Sequence, residues 1–450
     1  MKETVEHAER LRNHGLRLLC GVVADCSGVL RTKVVPAARM EVFASAGMGI
    51  SPTWTVFCVD NGIAMTDNLN VVGDLRMTAD LSRAVVLDRG FGWAPADLRT
   101  QEGARSPLCW RDVARRQAER LADRGIVVRA GFELEFVVVD GTDEHPDHRL
   151  GDDGTWAPYG LGPVSRAADF VTTAVQRLAE AGIQVWQVHA EYGAGQFEIS
   201  LPPAPPLDAA DAALLARTVL GRVAREFGWR LSFSPMPFAG GTGNGAHLHL
   251  SFANDGRPLL SSGQGPAGLT PEGDNLLAGI LDGLPESIAV LAGSVVSAER
   301  LAPDNWAGPF RCWGVENREA GIRLVQSTAG NPYGAHVEVR CLDHSANPYL
   351  AIGVVLGLAM EGLESKRALP DPVNVNPSSL TEVEALRAGV ERLPSSAASA
   401  VAAFEEGHRV RRILGPELTE ALLAVRRHER AAFADASFDR YAATRFAWST

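Results

Sequence analysis

Long apolar runs are scarce in this chain, and none is expected to cross a bilayer. Even 284-LPESIAVLAGSVV-296 is broken by polar residues well short of the roughly 20 that a spanning helix needs. The N-terminus, MKETVEHAERLRNHG, has a charged helical pattern rather than that of a signal peptide. A cytoplasmic chain that engages no membrane is therefore expected. Cysteine is scarce: Cys20, Cys26, Cys58, Cys109, Cys312 and Cys341 stand in apolar contexts without CxxC spacing. Neither a disulfide framework nor a thiolate metal site is indicated, and these residues read as core fillers. Basic charge is in deficit, with a formal net charge of −11. A nucleic-acid surface, which needs a basic patch to displace counterions, is excluded. The arginine-rich stretches 115-RRQAERLADR-124 and 408-HRVRR-412 are interleaved with acids or lie on amphipathic helices, and read as solvated faces. Low-complexity tracts, solenoid-period repeats, a GxxxxGK[ST] loop and a kinase-type glycine loop are also missing. What remains is a globular protein of 450 residues, 46% hydrophobic, long enough for two or three domains.

In the first hundred residues short apolar runs, 18-LLCGVVAD-25, 54-WTVFCV-59 and 84-AVVLD-88, alternate with turn chemistry, and one helix stands at the very start. A small β-rich domain over residues 1–100 is predicted. The polar, Pro- and Gly-bearing stretch 94-APADLRTQEGARSP-107 marks its boundary with a second domain, 101–450. There, apolar periodicity and glycine stops predict helices at 111–125, 165–182, 209–228, 274–293 and 416–433, with strands between them.

Four of those strands share an unusual face. In an extended chain alternate residues point the same way. The stretch 126-IVVRAGFELEFVVVD-140 thus aligns Glu133 with Glu135, and 183-IQVWQVHAEYGAGQFEISL-201 aligns Gln187, His189 and Glu191, then Gln196, Glu198 and Ser200. In 245-GAHLHLSF-252 the aligned set is His247, His249 and Ser251, and in 335-AHVEVRCLD-343 it is His336, Glu338 and Arg340. Any one strand alone reads as the wet face of an antiparallel sheet. Such a face usually collects Thr, Lys, Ser and Arg, whereas these strands collect Glu and His, ligands of divalent cations. Five glutamates and a histidine exceed the needs of one ion and suit two hard cations such as Mg²⁺ or Mn²⁺. A second constellation, Arg300, Arg318, Arg323 and Arg340, offers guanidinium forks for carboxylate or phosphate. Beside a metal cage it points to an anionic substrate and a transferring phosphoryl group, with any ATP bound in a P-loop-free mode.

These motifs, in this order, resemble the glutamine synthetase superfamily over essentially the whole chain: GFELEF, VHAEYGAGQFEIS, the GxGxHxH strand, 300-RLAPDNWAGP-309, 317-NREAGIR-323 and 338-EVRCLDHSANPYLA-351. The resemblance implies an α+β fold, with a small N-terminal β-grasp domain and a catalytic domain built on a curved antiparallel sheet with flanking helices. It implies one metal at Glu135, Glu191 and Glu198 and another at Glu133, His247 and Glu338. Arg300, Arg340 and Gly243 would hold glutamate, His249 and Ser251 would contact substrate and nucleotide, and Arg318 and Arg323 would face the phosphates. The implied reaction is phosphorylation of the glutamate γ-carboxylate by ATP, with two or more Mg²⁺ or Mn²⁺, followed by attack of a nitrogen nucleophile. A homo-oligomer is implied too, a dodecamer of two hexameric rings with active sites between neighbouring subunits. The stretch 370-PDPVNVNPSSLTEVEAL-386 has no tyrosine of the kind some bacterial members nucleotidylate.

Two departures bear on the nitrogen substrate. Where glutamine synthetases carry an Asp in a DGSS-like turn and a Glu in RLxPGxEAP, this sequence has 47-GMGISPTW-54 and 300-RLAPDNWAGP-309, so that Ser51 and Trp306 replace the acids that bind and deprotonate ammonium. A larger primary amine is expected, its carbon skeleton on the Trp306 ring. The stretches 305-NWAG-308 and 312-CWGVENREA-320 resemble the γ-glutamylethanolamide and γ-glutamylpolyamine synthetases of actinobacteria. Ethanolamine is the first expectation, because a polyamine's second ammonium wants an acid in the pocket and only Asp304 or Asp60 offers itself. The alternatives are an ordinary ammonium-using glutamine synthetase with its acids elsewhere, and a non-catalytic structural or regulatory member. Against the latter stand clustered carboxylates that would repel one another to no purpose.

Overall fold

The structure is a computed structural model and describes residues 2–141, 148–434 and 444–449. Six strands form the N-terminal sheet: β1 (Leu18–Ala24), β2 (Leu30–Pro36), β3 (Met48–Ile50), β4 (Leu75–Ala79), β5 (Val85–Val86) and β6 (Phe91–Arg99). Their order is β2-β1-β6-β4-β3, with β5 on β6; the β1–β6 pair is parallel and the other pairs are antiparallel. The helix at the very start is present, Lys2–Asn13, but it is not alone. A second, Met40–Ser45, buries Met40 and Phe43 against this sheet, and a Cβ on Gly21 would lie 2.3 Å from the Phe43 ring. A helix of fewer than two turns shows too little periodicity to be read from sequence.

The larger sheet comprises β7 (Ile126–Val139), β8 (Gln187–Ala190), β9 (Gln196–Ser200), β10 (Arg230–Ser232), β11 (Leu248–Asn254), β12 (Arg257–Pro258), β13 (Phe310–Val315), β14 (Ala320–Val325), β15 (His336–Val339) and β16 (Glu391–Arg392). Its order is β16-β13-β14-β15-β11-β7-β9-β8, with β10 on β7 and β12 on β11. The expectation of an antiparallel sheet needs one correction: β13 and β14 run parallel, so the sheet is mixed. The link of residues 316–319 is made mostly of turn residues, with Glu316 in the left-handed region at φ 52°, and returns the chain to the start of the neighbouring strand. In sequence so short a connection suggests antiparallel neighbours.

The five helices expected in the second domain form at Trp110–Ala122, Ala168–Glu180, Pro206–Glu226, Pro271–Leu291 and Pro416–Ala432. The segment 161–166 makes a separate short helix ahead of the second of these. A sixth long helix, Pro348–Ser365, follows the ANPYLA motif and is apolar on all sides, which leaves no amphipathic period to detect. Among the described residues it is the one helix long and apolar enough to cross a membrane, yet 78% of it is buried inside the fold. It packs on Pro271–Leu291 through glycines: a Cβ on Gly279 would meet Leu358 O at 2.2 Å, and one on Gly362 would meet Asn275 O at 2.1 Å. Asn347 caps this helix, accepting from Tyr349 N at 2.9 Å, and donates to Ala24 O of the N-terminal sheet at 2.7 Å.

One hydrophobic core runs from the N-terminal sheet into the larger one, and all six cysteines are buried and unpaired. A polar tie crosses the same seam. Glu429, buried in the helix Pro416–Ala432, accepts from Ser27 Oγ at 2.7 Å and Val59 N at 2.8 Å and pairs with buried Arg426 at 3.0 Å. Removing one member of such a pair strands the other charge in a medium that cannot solvate it. Glu429→Ala should therefore cost about 3–5 kcal/mol in urea unfolding, and Arg426→Met combined with it should recover part of the loss. A single variant within about 1 kcal/mol of the parent would show that the tie holds nothing.

Candidate active site

Strand β7 carries Glu133 and Glu135 to the middle of the larger sheet, and the register of its neighbours brings up the rest. Across β9, Glu135 stands opposite Glu198 and Glu133 opposite Ser200; across β8, His189 stands opposite Glu198. On the other side the ladder continues ahead of β11, with Glu133 N donating to His247 O and Glu135 N to Gly245 O, both at 3.1 Å. His249 of β11 pairs with Glu338 of β15, which pairs in turn with Arg323 of β14. The four sequence stretches thus meet on one face of one sheet. Above it opens a cavity of about 1050 Å³ whose wall includes Glu191, Glu198, Arg300, Trp306, Arg318 and Arg340.

The donor atoms gather in three overlapping groups: His189, Glu191 and Glu198; Glu133, Glu198 and His247; and Glu133, His249 and Glu338. Within each group the ligand atoms lie within 4.8 Å of one another. His247 Nδ1 is 3.5 Å from both Glu133 Oε2 and Glu338 Oε1, and His249 Nε2 is 3.3 Å from Glu133 Oε2. Both nitrogens are buried without a hydrogen-bond partner, an arrangement that suits metal ligands better than structural histidines. His189 joins Glu191 at 2.7 Å and so stands beside the expected first set, where its position on the polar face of the strand had already aligned it. Glu135 is turned differently, accepting from Gly245 N at 2.7 Å and Gln196 Nε2 at 3.4 Å.

Charge in this cage is unbalanced. Burial, then the crowding of Glu133, Glu135, Glu191 and Glu338, pushes the Glu198 carboxyl well above its ordinary range. Burial also acts to raise Glu133, but the closeness of the His247 and His249 imidazoles outweighs it and holds that carboxyl low. Glu338 is fully buried yet held at about 2, because Arg340 and then the two histidines overcome its desolvation. A cluster of carboxylates that repel one another at this separation is matched to added positive charge, and hard divalent cations fit this donor set.

The arginine side is tightly built. Arg340 donates to Glu338, to Trp306 O from Nε at 3.2 Å and Nη2 at 2.6 Å, and to Arg318 O at 2.9 Å. Arg300 is buried and bonds Arg340 O at 3.0 Å and His247 Nε2 at 3.3 Å. Arg323 pairs with Glu338 at 3.2 Å and Glu316 at 2.6 Å, and its Nε is buried without a partner. Gly243 lies where any side chain would strike Pro235 O at 2.7 Å and Arg300 Cγ at 2.8 Å.

Four of the singled-out residues are not on the cavity wall within a single chain: His249 and Glu338, which lie behind it beside Glu133, and Ser251 and Ser51, which lie farther off. Ser251 lies further along β11, opposite Arg129 of β7. Ser51 caps the turn Pro52–Val56, accepting from Thr53 N at 3.2 Å and Thr53 Oγ1 at 2.9 Å. Of the two acids considered for a second ammonium, Asp304 lines the cavity beside Trp306, whereas Asp60 lies elsewhere and approaches His428 at 3.3 Å. Glu319 went unremarked in the sequence, because nothing in NREAGIR distinguishes it from a solvated acid. It is buried and accepts from Trp306 N at 2.6 Å and Asp304 N at 3.3 Å.

An acid and imidazole cage facing arginines over a mixed sheet, on this fold, belongs to the ATP-dependent carbon–nitrogen ligases. The model of the glutamine synthetase catalytic domain matches residues 107–442, and the chain is a member of the glutamine synthetase family, whose enzymes use ATP and divalent metals. It is 40% identical to the gamma-glutamylpolyamine synthetase GlnA3 of Streptomyces coelicolor, over 92% of this chain and 89% of that protein. Identity to the glutamate–methylamine ligase of Methyloversatilis universalis is 28%, over 93% of each. Among solved structures, a GmaS/ADP complex superposes with a TM-score of 0.83 at 25% identity, covering 97% of this chain and 98% of that one.

The charge imbalance makes a prediction with a definite sign. A carboxyl whose folded pKa is raised favours the folded state while protonated, and that contribution is lost as pH rises through the folded value. Metal-free protein should lose melting temperature with rising pH above the ordinary glutamate range, and Glu198→Gln should flatten the slope. The same variant should lose roughly two powers of ten or more in turnover, since it removes charge from an ion-binding group. Parallel pH–melting curves for parent and variant in chelator would refute the assignment of that slope to Glu198.

Proposed function

We propose that this ligase joins the γ-carboxyl of glutamate to a primary amine larger than ammonium, with a di- or polyamine ahead of ethanolamine. The observation that carries this reading is Trp306, 56% exposed on the cavity wall, with Asp304 on the same wall and its Oδ1 accepting from Asn376 Nδ2 at 3.1 Å. Ammonium is bound and deprotonated by acids, and at this position the chain presents an indole instead. An aliphatic amine packs its methylenes on the ring face and brings its cation within reach of the quadrupole. The sequence favoured ethanolamine for want of an acid near the ring; Asp304 supplies one for a second ammonium. The polyamine acceptor in the name of the Streptomyces relative supports the same choice, and the methylamine ligase supports an alkylamine more generally.

In this reading Glu191, Glu198 and Glu135, with His189, would hold one cation, and Glu133, His247 and Glu338 the other. When bound, the ions supply positive charge against the triphosphate. Gly243, His249, Arg300 and Arg340 hold glutamate so that a γ-carboxylate oxygen meets the γ-phosphorus of ATP. The bond from that phosphorus to the bridging oxygen breaks, and ADP leaves. Arg318 and Arg323 stabilise the charge on the transferred phosphoryl group, with Ser251 on the nucleotide side. The amine nitrogen then attacks the γ-carbonyl carbon, inorganic phosphate departs, and the nitrogen gives up a proton. Ser51 belongs to the N-terminal unit, residues 1–100, and would reach the catalytic unit, 101–450, of a neighbouring subunit in a homo-oligomer of two hexameric rings. A cytoplasmic location fits the use of ATP.

Product mass spectrometry with glutamate, ATP and a panel of ammonium, methylamine, ethanolamine, putrescine and spermidine tests the reading. The expected products are γ-glutamyl adducts of putrescine or spermidine, a weaker ethanolamide and no glutamine. Glutamine with no amine adduct returns the protein to the ordinary glutamine synthetases, and an ethanolamide alone returns the acceptor to the amino alcohol. Asp304→Asn should raise KM for putrescine roughly tenfold while leaving a monoamine within about twofold, because only the diamine has a second cation to lose. Equal effects on both amines would remove Asp304 from recognition.

A further inference from the structure

The loop that bears Trp306 is held in a conformation its own sequence resists. Asp304 and Trp306 both lie in the left-handed region, at φ 65° and φ 53°. An aspartate tolerates that region, but a tryptophan adopts it only where surrounding structure compels it. The compulsion comes from two sides. From below, the buried Glu319 carboxylate accepts the peptide N–H of Trp306 on Oε1 at 2.6 Å and that of Asp304 on Oε2 at 3.3 Å. From the other side, the carbonyl of Trp306 accepts two bonds from the Arg340 guanidinium. Gly308 closes the loop at φ 67°, where a Cβ would lie 2.8 Å from Arg340 Cβ and 2.9 Å from Ala320 O. The two peptide units that flank the Trp306 α-carbon are thus gripped, one by a carboxylate and the next by a guanidinium, and the indole stands out over the cavity.

We infer that Glu319 is a positioning residue for the acceptor: it fixes the 304–306 loop so that Trp306 and Asp304 face the incoming amine, and it ties that loop to the glutamate side through Arg340. This inference rests on the reading that Trp306 and Asp304 border the acceptor. A buried carboxylate spent on two peptide N–H groups is a strong restraint, because both bonds are charge-assisted and the loop has no other way to satisfy those donors when folded in this form. Gln in its place keeps one acceptor oxygen but turns an N–H₂ group toward the other N–H. Ala keeps neither. The two substitutions therefore grade the restraint without altering any group on the cavity wall.

The test uses full-length enzyme, with Glu319→Gln and Glu319→Ala beside the parent. Amide hydrogen exchange over residues 301–310, measured without substrate, should quicken in Gln and further in Ala while the rest of the larger sheet is unchanged. KM for the amine that the parent uses best should rise roughly threefold in Gln and tenfold or more in Ala, with KM for glutamate and ATP within about twofold. Phosphate release without amide product should rise in the same order, as a loose loop admits water to the activated carboxyl. Exchange identical to the parent, or equal increases in all three KM values in folded variants, would overturn the inference. Failure of the function reading appears separately: if the parent makes only glutamine, the amine assignment falls, and the clamp is judged by exchange and by KM for ammonium.

Discussion

Carboxylates buried together on one face of a sheet repel one another, and the catalytic half of this molecule is arranged around that repulsion. Burial, together with the closeness of Glu133, Glu135, Glu191 and Glu338, pushes the Glu198 carboxyl well above its ordinary range. A fold that keeps such a group must supply opposing charge from several directions, because one counter-charge cannot balance so many anions at this separation. The strands provide it in graded form. Histidines come up from β11, the arginines of β14 and the segment after β15 meet Glu338, and the space between is left for added cations. The cage costs folding energy in the bare chain and is supported by apolar packing below, where the largely buried helix Pro348–Ser365 and the glycine contacts to Pro271–Leu291 hold the core.

The same charge balance reaches the acceptor loop. Arg340 neutralises Glu338 and with its remaining donors grips the carbonyls of Trp306 and Arg318, so a residue needed at the cage also shapes the loop. Carboxylate cage and loop are therefore joined through one guanidinium, whose planar fork can serve carboxylate and carbonyl at once in a way a lysine ammonium cannot. A change at the loop is felt at Arg340, and a change at Glu338 is felt at the loop.

Much of this was legible in the sequence, and the reason is periodicity. A strand puts alternate side chains on one face, so Glu133 with Glu135 and His247 with His249 announce their alignment from spacing alone, and the order of motifs identifies the family. The helices with an apolar stripe were legible for the same reason. Elements buried on every side, such as Pro348–Ser365, show no stripe, and Met40–Ser45 is too short to show one. The parallel run of β13 and β14 was hidden because a short link implies a hairpin unless its backbone is known. Loop geometry was beyond reach altogether: Glu319 is ordinary in sequence and becomes a clamp only when Asp304 and Trp306 turn their N–H groups toward it. Pairing of Glu135 with Gly245 rather than with the other acids likewise depends on a side-chain rotation that spacing does not encode.

The division between sheet and loop has a consequence for how such an enzyme changes its nitrogen substrate. Phosphoryl transfer to a carboxylate needs charge at fixed positions, and rigid strands in register hold those positions to within the tolerance of metal coordination. Choice of nitrogen needs only that the activated carboxyl be approached past a wall of the right chemistry, and that wall is a loop outside the sheet. An indole at position 306, on the loop and off the sheet, offers no carboxylate to bind or deprotonate ammonium and presents an apolar ring face instead. The backbone strain at Trp306 is then the cost of presenting a large ring where a smaller side chain would lie flat. Glu319 and Arg340 together offset that cost by holding the N–H and the C=O of the residue that carries the ring.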